Sequence, residues 1–128
     1  MHLLDGNACL DFLLGREPGI ASRIERAFGS LIVSSITAAE LRADYRASEN
    51  PDRGDRRIDI FLEGIRVASF DARAADLHRS MMRALPVRRT NFDRLTAAHC
   101  LAPGATLVTD HEPRFANVPG LLVENWAR

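Results

Sequence analysis

Leu31-Ile32-Val33-Ser34-Ser35-Ile36-Thr37-Ala38-Ala39-Glu40-Leu41 is the stretch on which the fold turns. Leu31, Ile32 and Val33 form a short apolar run without polar alternation, the pattern of a strand buried on both faces. From Thr37 to about Ser48 the spacing is helical, with Leu41 and Tyr45 on one face. A buried strand that hands over to a helix is half of a βαβ unit.

The same hand-over recurs on both sides. Leu3-Leu4 reads as a short buried strand that meets a turn at Asp5-Gly6-Asn7. A helix follows with Cys9, Leu10, Leu13 and Leu14, and Pro18-Gly19 breaks it. Ile20, Ile24, Ala27 and Phe28 then repeat at helical spacing. Downstream, Asn50-Pro51-Asp52-Arg53-Gly54 reads as a turn, and Ile58, Phe61, Leu62 and Ile65 form an apolar stripe. Val67-Ala68-Ser69 is a weaker strand candidate. Asp71 can cap a helix that turns Ala74, Leu77, Met81 and Leu85 inward and stops at Pro86. Phe92 to Leu101 form another helix, Ala105 to Thr109 a strong strand, and Leu121 to Glu124 a further one. Short apolar strands alternating with helices predict a three-layer α/β/α fold on a four- or five-stranded parallel sheet. The 128 residues fit a single domain, 1–128.

Acids and bases balance at 17 each, so net charge carries no signal for nucleic acid. All 17 bases are arginine, spread along the whole chain, which a GC-rich coding composition explains more readily than a surface chosen to grip phosphates bidentately. Cys9 and Cys100 sit in apolar stretches and read as reduced core thiols. No basic region precedes the first apolar run, and no apolar segment approaches the ~20 residues that span a bilayer. The expectation is a cytoplasmic protein with no membrane partner.

Four acids occupy equivalent places in this pattern. Asp5 and Asp110 end strands, and Glu40 and Asp93 fall in the first turns of helices. In a parallel sheet, strand C-termini and the helix N-termini after them lie on one edge, where ligand sites gather. Each acid also has a capping explanation. Thr37-x-x-Glu40 reads as a capping box, Thr90-x-x-Asp93 nearly repeats it, and Asp5 and Asp110 can cap or close Asx turns. Capping, however, requires no convergence. Four carboxylates on one edge repel one another unless a cation neutralises them. All-oxygen donors select a hard ion, Mg²⁺ or Mn²⁺. The four histidines and two cysteines show no zinc spacing.

At these residues the chain resembles PIN-domain ribonucleases. Met1-His2-Leu3-Leu4-Asp5-Gly6-Asn7 resembles the opening motif of that family. Ser34-Ser35-Ile36-Thr37-Ala38-Ala39-Glu40-Leu41, Asn91-Phe92-Asp93-Arg94-Leu95-Thr96-Ala97-Ala98-His99 and Gly104-Ala105-Thr106-Leu107-Val108-Thr109-Asp110 resemble the next three motifs, in order. The ending, from Phe115 to Trp126, looks like that of VapC-type toxins. The resemblance implies a Mg²⁺- or Mn²⁺-dependent endoribonuclease, with Asp5, Glu40, Asp93 and Asp110 around the metal and Asn7 and Thr37 in support. It also implies a homodimer and an antitoxin partner clamped by the helices carrying Tyr45 and Phe61. One departure is Gly6, where the family usually has Thr or Ser.

An RNA held against a negative site needs arginines at its rim. Arg42, Arg46, Arg88, Arg89 and Arg114 flank the acids in sequence. Base stacking is expected to be minor, because the aromatics fall mostly on core-facing stripes. Two other readings remain open. One is a PIN-like module that binds RNA or a partner without cutting. The other is a metal-dependent phosphohydrolase on a doubly wound sheet, although no Asp-x-Asp motif is present.

Overall fold

A computed structural model describes residues 1–44 and 51–127, with side chains from residue 56 onward in the second stretch. Tyr45 and Arg46 lie outside the described residues. The elements in order are β1 (His2–Leu4), α1 (Gly6–Leu13), α2 (Pro18–Ala27), β2 (Leu31–Ser34), α3 (Ser35–Ala43), α4 (Pro51–Gly64), β3 (Arg66–Ala68), α5 (Ala72–Ala84), α6 (Phe92–Leu101), β4 (Thr106–Val108) and β5 (Leu122–Glu124).

The five strands form one wholly parallel sheet in the order β3-β2-β1-β4-β5. Leu3 pairs in register with Ile32 and Leu107, and Leu4 with Val33 and Val108. Successive strand residues point to opposite faces, so these two rows enter different cores. Leu4, Val33 and Val108 join Ile20, Ile24, Leu41, Ile58 and Phe61 beneath α1–α4. Leu3, Ile32 and Leu107 join Met81, Met82, Ala97 and Ala98 beneath α5 and α6. Burial on both faces is why the strands carry no polar alternation. Phe61 and Leu62 are core residues in the described chain.

Several boundaries differ from the sequence expectations. Helix α1 starts at Gly6, directly after Asp5, so no turn intervenes. Helix α3 starts at Ser35, capped by Ser34, whose hydroxyl accepts from the Ile36 amide. Thr37 is therefore inside the helix and fully buried, and no Thr37–Glu40 capping box forms. Asn91, not Thr90, caps α6 by accepting from the Arg94 amide. Pro51 to Gly54 open α4 rather than a turn, because proline in a first helical turn loses only an amide that has no partner there. The last crossover, between β4 and β5, holds only a single-turn 3₁₀ helix at Glu112–Phe115. No helix among the described residues is long and apolar enough to cross a membrane.

The chain adds β2 and β3 on one side of β1, then β4 and β5 on the other. The direction of winding thus switches between β1 and β4, the position where a doubly wound sheet opens a crevice at its strand C-termini.

Candidate functional site

Asp5 follows the last residue of β1 and is the N-cap of α1. Its Oδ1 accepts from the Ala8 amide at 2.8 Å, and its carboxylate accepts a further hydrogen bond from the Thr109 side chain. It is only 4% exposed. Burial pushes its carboxyl up to about 6, against the pull of those two bonds, and the nearby charges of Asp110 and Asp93 add to the rise.

Glu40 enters from α3, in the second helical turn. Its carboxyl is pushed up to about 7, first by burial, then by the charges of Asp93, Asp5 and Asp44. Asp93 enters from the first turn of α6. A helix that leads into a parallel strand runs against it, so its N-terminus lies at the edge where the strands end. That physical arrangement brings Asp93 to Asp5.

Asp5, Asn7, Glu40, Asp44, Asp93 and Arg114 line one pocket of about 160 Å³, together with Gly6, Leu10, Leu41 and Thr96. Arg114 approaches Asp93, Nη1 to Oδ2, at 3.8 Å. Four carboxylates thus face one guanidinium.

Asp110 does not line this pocket. It acts on Asp5 through its charge, its Oδ1 is buried without a hydrogen bond, and His111 Nε2 stands 3.4 Å from it. Asp110 faces Asp11, a buried residue of α1. Burial pushes the Asp11 carboxyl up to about 6, and the adjoining Asp110 carboxyl raises it further.

Among the expected supporting residues, Asn7 lines the pocket, whereas Thr37 does not. Thr37 is fully buried a turn before Leu41, and its hydroxyl has no hydrogen bond. Of the expected arginines among the described residues, only Arg114 lines the pocket. Arg42 pairs with Asp59 of α4, and Arg88 and Arg89 are exposed on the connector before α6.

Sequence reasoning passed over Asp11, Asp44 and Thr109. Asp11 had a signal, since it interrupts the apolar run Ala8 to Leu14. Asp44 had one too, four residues after Glu40 and so on the same helical face. Thr109 had none, because its bond to Asp5 depends on the pairing of β1 with β4.

Among the described residues, no group of three histidine, cysteine or acidic side chains is close enough to read as a formed metal centre. The donor chemistry nonetheless fits a hard divalent cation. The pocket acids offer only oxygen, and the carboxyls of Asp5 and Glu40 are raised first by burial and further by the neighbouring acids.

The model of the PIN domain family matches residues 2–121. The chain is 30% identical to the tRNA(fMet)-specific endonuclease VapC of Shigella flexneri, over 98% of this chain and 97% of that protein. It is 28% identical to Ribonuclease VapC2 of Rickettsia felis, over 98% of each. Among solved structures, it is similar to DNA-bound VapBC from Salmonella typhimurium, with a TM-score of 0.88 and 26% identity, covering 98% of this chain and 97% of that one. VapBC2 from Rickettsia felis, bound to a promoter DNA fragment, is similar with a TM-score of 0.84 and 26% identity, over 98% of each chain.

Proposed function

The chain belongs to the PIN domain family, among the VapC ribonucleases, and on that premise we propose that it is a divalent-metal-dependent endoribonuclease, the toxin of a toxin–antitoxin pair. The observation that carries this reading is the meeting of Asp5, Glu40 and Asp93 in one pocket with Arg114 on its wall.

Asp5, Glu40 and Asp93 are the residues that would hold Mg²⁺ or Mn²⁺, with Asp110 contributing directly or through water. Such an ion, when bound, polarises a phosphoryl oxygen and stabilises charge on the leaving oxygen. The protein's own groups supply the positioning. The Ala8 amide and the Thr109 side chain fix the Asp5 carboxylate, so its orientation is set before substrate arrives. Arg114 presents a guanidinium to the incoming phosphodiester. Asn7 supports the same wall, and Thr37 is a buried residue of the helix that carries Glu40. Arg88 and Arg89 extend the grip on RNA along the connector.

We assign the whole of 1–128 to one nuclease domain. We also assign it a homodimeric state, a cognate antitoxin and a place in the cytoplasm. The antitoxin assignment draws on the VapBC assemblies it resembles.

Incubation with tRNA and rRNA under a Mg²⁺ and Mn²⁺ titration tests the reading. The expected result is metal-dependent cleavage that EDTA stops and that Asp93→Asn abolishes with the fold intact. Equal cleavage by that variant would remove Asp93 from the site. A non-cutting RNA- or partner-binding module is the second reading, favoured by Gly6, which lacks the family's hydroxyl. Tight RNA binding with no cleavage under any metal would select it.

A further inference from the structure

His99 is a buried titratable side chain near the end of α6 that the proposed reaction does not use. Its Nδ1 stands 2.6 Å from the hydroxyl oxygen of Ser34, the fully buried residue that caps α3. Burial lowers the pKa of His99 and favours the neutral ring, while the charge of Asp71 and a hydrogen bond to the Ser69 backbone pull it up. A backbone bond that favours the protonated ring is one in which the ring donates, so the Ser69 carbonyl accepts an N–H. A neutral imidazole has one N–H. Nδ1 is then the bare nitrogen, and it accepts from the Ser34 hydroxyl. The Ser34 oxygen in turn accepts from the Ile36 amide at 3.1 Å. Phe70 meets the ring edge-on, with 5.4 Å between centroids, and its amide donates to Ser35 Oγ. The start of α3, the connector after β3 and the end of α6 thus converge on one imidazole.

Glu40 lies six residues after Ser34, and Asp93 lies six residues before His99. Helices α3 and α6 therefore pass each other in opposite directions. They are bonded at Ser34 and His99, and they face each other again across the pocket at Glu40 and Asp93, about 9 Å along each helix. Thr96, midway between Asp93 and His99, is buried and lines the same pocket. The charge of Asp93 raises the Glu40 carboxyl, so the two acids repel each other. Their closeness has to be imposed from outside the pair, and the Ser34–His99 bond is a buried link between the two helices that carry them.

We propose that His99 is a positioning residue whose bond to Ser34 sets the register of α3 against α6 and so holds Glu40 beside Asp93. The inference rests on the nuclease reading for what this register serves, while the register itself is measurable without metal or RNA.

Two substitutions separate the bonds of the ring. His99→Asn places an amide oxygen near the Nδ1 position, where it accepts from Ser34. His99→Gln places an amide near the Nε2 position, where it donates to Ser69 and leaves Ser34 without its partner. Each is measured in the full chain in two ways. The first adds Glu40→Cys and Asp93→Cys and follows cross-linking of the two introduced thiols by dibromobimane, without metal; Cys9 and Cys100 are buried and do not compete. The second keeps the native acids and reads Mn²⁺ affinity by electron paramagnetic resonance, without RNA. His99→Gln is expected to slow the cross-linking by roughly tenfold or more and to weaken Mn²⁺ binding by roughly tenfold or more. His99→Asn should stay near the wild type in both, although urea denaturation shows the two variants similarly destabilised. Ser34→Gly removes the same hydroxyl at little cost to the cap, should reproduce His99→Gln, and replaces it if that variant does not fold. Unchanged cross-linking and Mn²⁺ affinity in the variants that lose the bond would overturn the proposal. So would losses in His99→Asn as large as those in His99→Gln, because His99 would then be a core residue only. A wild type that binds no Mn²⁺, with cross-linking that still follows the Ser34–His99 bond, would support the positioning role and sink the metal reading instead.

Discussion

Replacing Asp5 with Asn should make the metal-free protein more stable while destroying its activity. Asp5 is buried, and its carboxyl is raised from an ordinary 3.8 to about 6, chiefly by burial. The folded state therefore binds the Asp5 proton more tightly than the unfolded state does. Ionised Asp5 costs nothing below about pH 3.8, costs more as pH rises towards 6, and costs its full amount above that. At about 1.4 kcal/mol per pH step, the full cost is about 3 kcal/mol. Asparagine carries no charge but keeps an oxygen for the Ala8 amide, and it caps helices as well as aspartate does. The expected gain for Asp5→Asn is about 2–3 kcal/mol at pH 8, shrinking to near zero at about pH 4. Urea denaturation followed by circular dichroism, in EDTA at both pH values, measures it. Mg²⁺ or Mn²⁺ should then stabilise the wild type more than the variant. Equal stability of the two proteins at pH 8, or a gain independent of pH, would refute the claim that Asp5 sits ionised at a cost the fold bears for its site.

The raised carboxyls also predict how the site competes for cations. With Glu40 at about 7 and Asp5 at about 6, protons displace the metal as pH falls. Mn²⁺ affinity by calorimetry should drop at least tenfold from pH 8 to about 5.5, with proton uptake on metal release, and a flat profile would contradict it. Gly6→Ser addresses the departure in the first motif. A Cβ at Gly6 would lie 3.9 and 4.0 Å from the two Glu40 carboxylate oxygens, which leaves room for it. The added hydroxyl should hydrogen-bond Glu40, lower the pH midpoint of cleavage and raise kcat/KM by roughly two- to tenfold, whereas lost cleavage would show that Gly6 is required. Cys9 and Cys100 are fully buried, with the Cys9 thiol pushed well above its ordinary range by burial and that of Cys100 up to about 12. Neither should react with a thiol reagent until the protein is unfolded, and rapid labelling of the native protein would disprove their burial.

The parallel sheet and the edge holding Asp5, Glu40 and Asp93 are legible in the chain because both follow from local order. A strand of Leu3-Leu4 or Leu31-Ile32-Val33 can shed polar alternation only where helices cover both faces. A helix that precedes or follows a parallel strand has its N-terminus on one edge whatever the details. Helix starts were less legible. Ser34, Ser35 and Thr37 are all competent caps, and the choice of Ser34 reflects where β2 stops pairing with β3, at Ser34 and Ala68. The tertiary structure alone decided which acids share the pocket. It set Asp110 against Asp11 rather than on the lining, brought Asp44 in, bound Thr109 to Asp5, and left Phe92 in solvent. Periodicity reports a residue's neighbours within a turn or two of its own element. Strand register and helix packing fix the distances between elements, and those distances decide which charges meet without water between them.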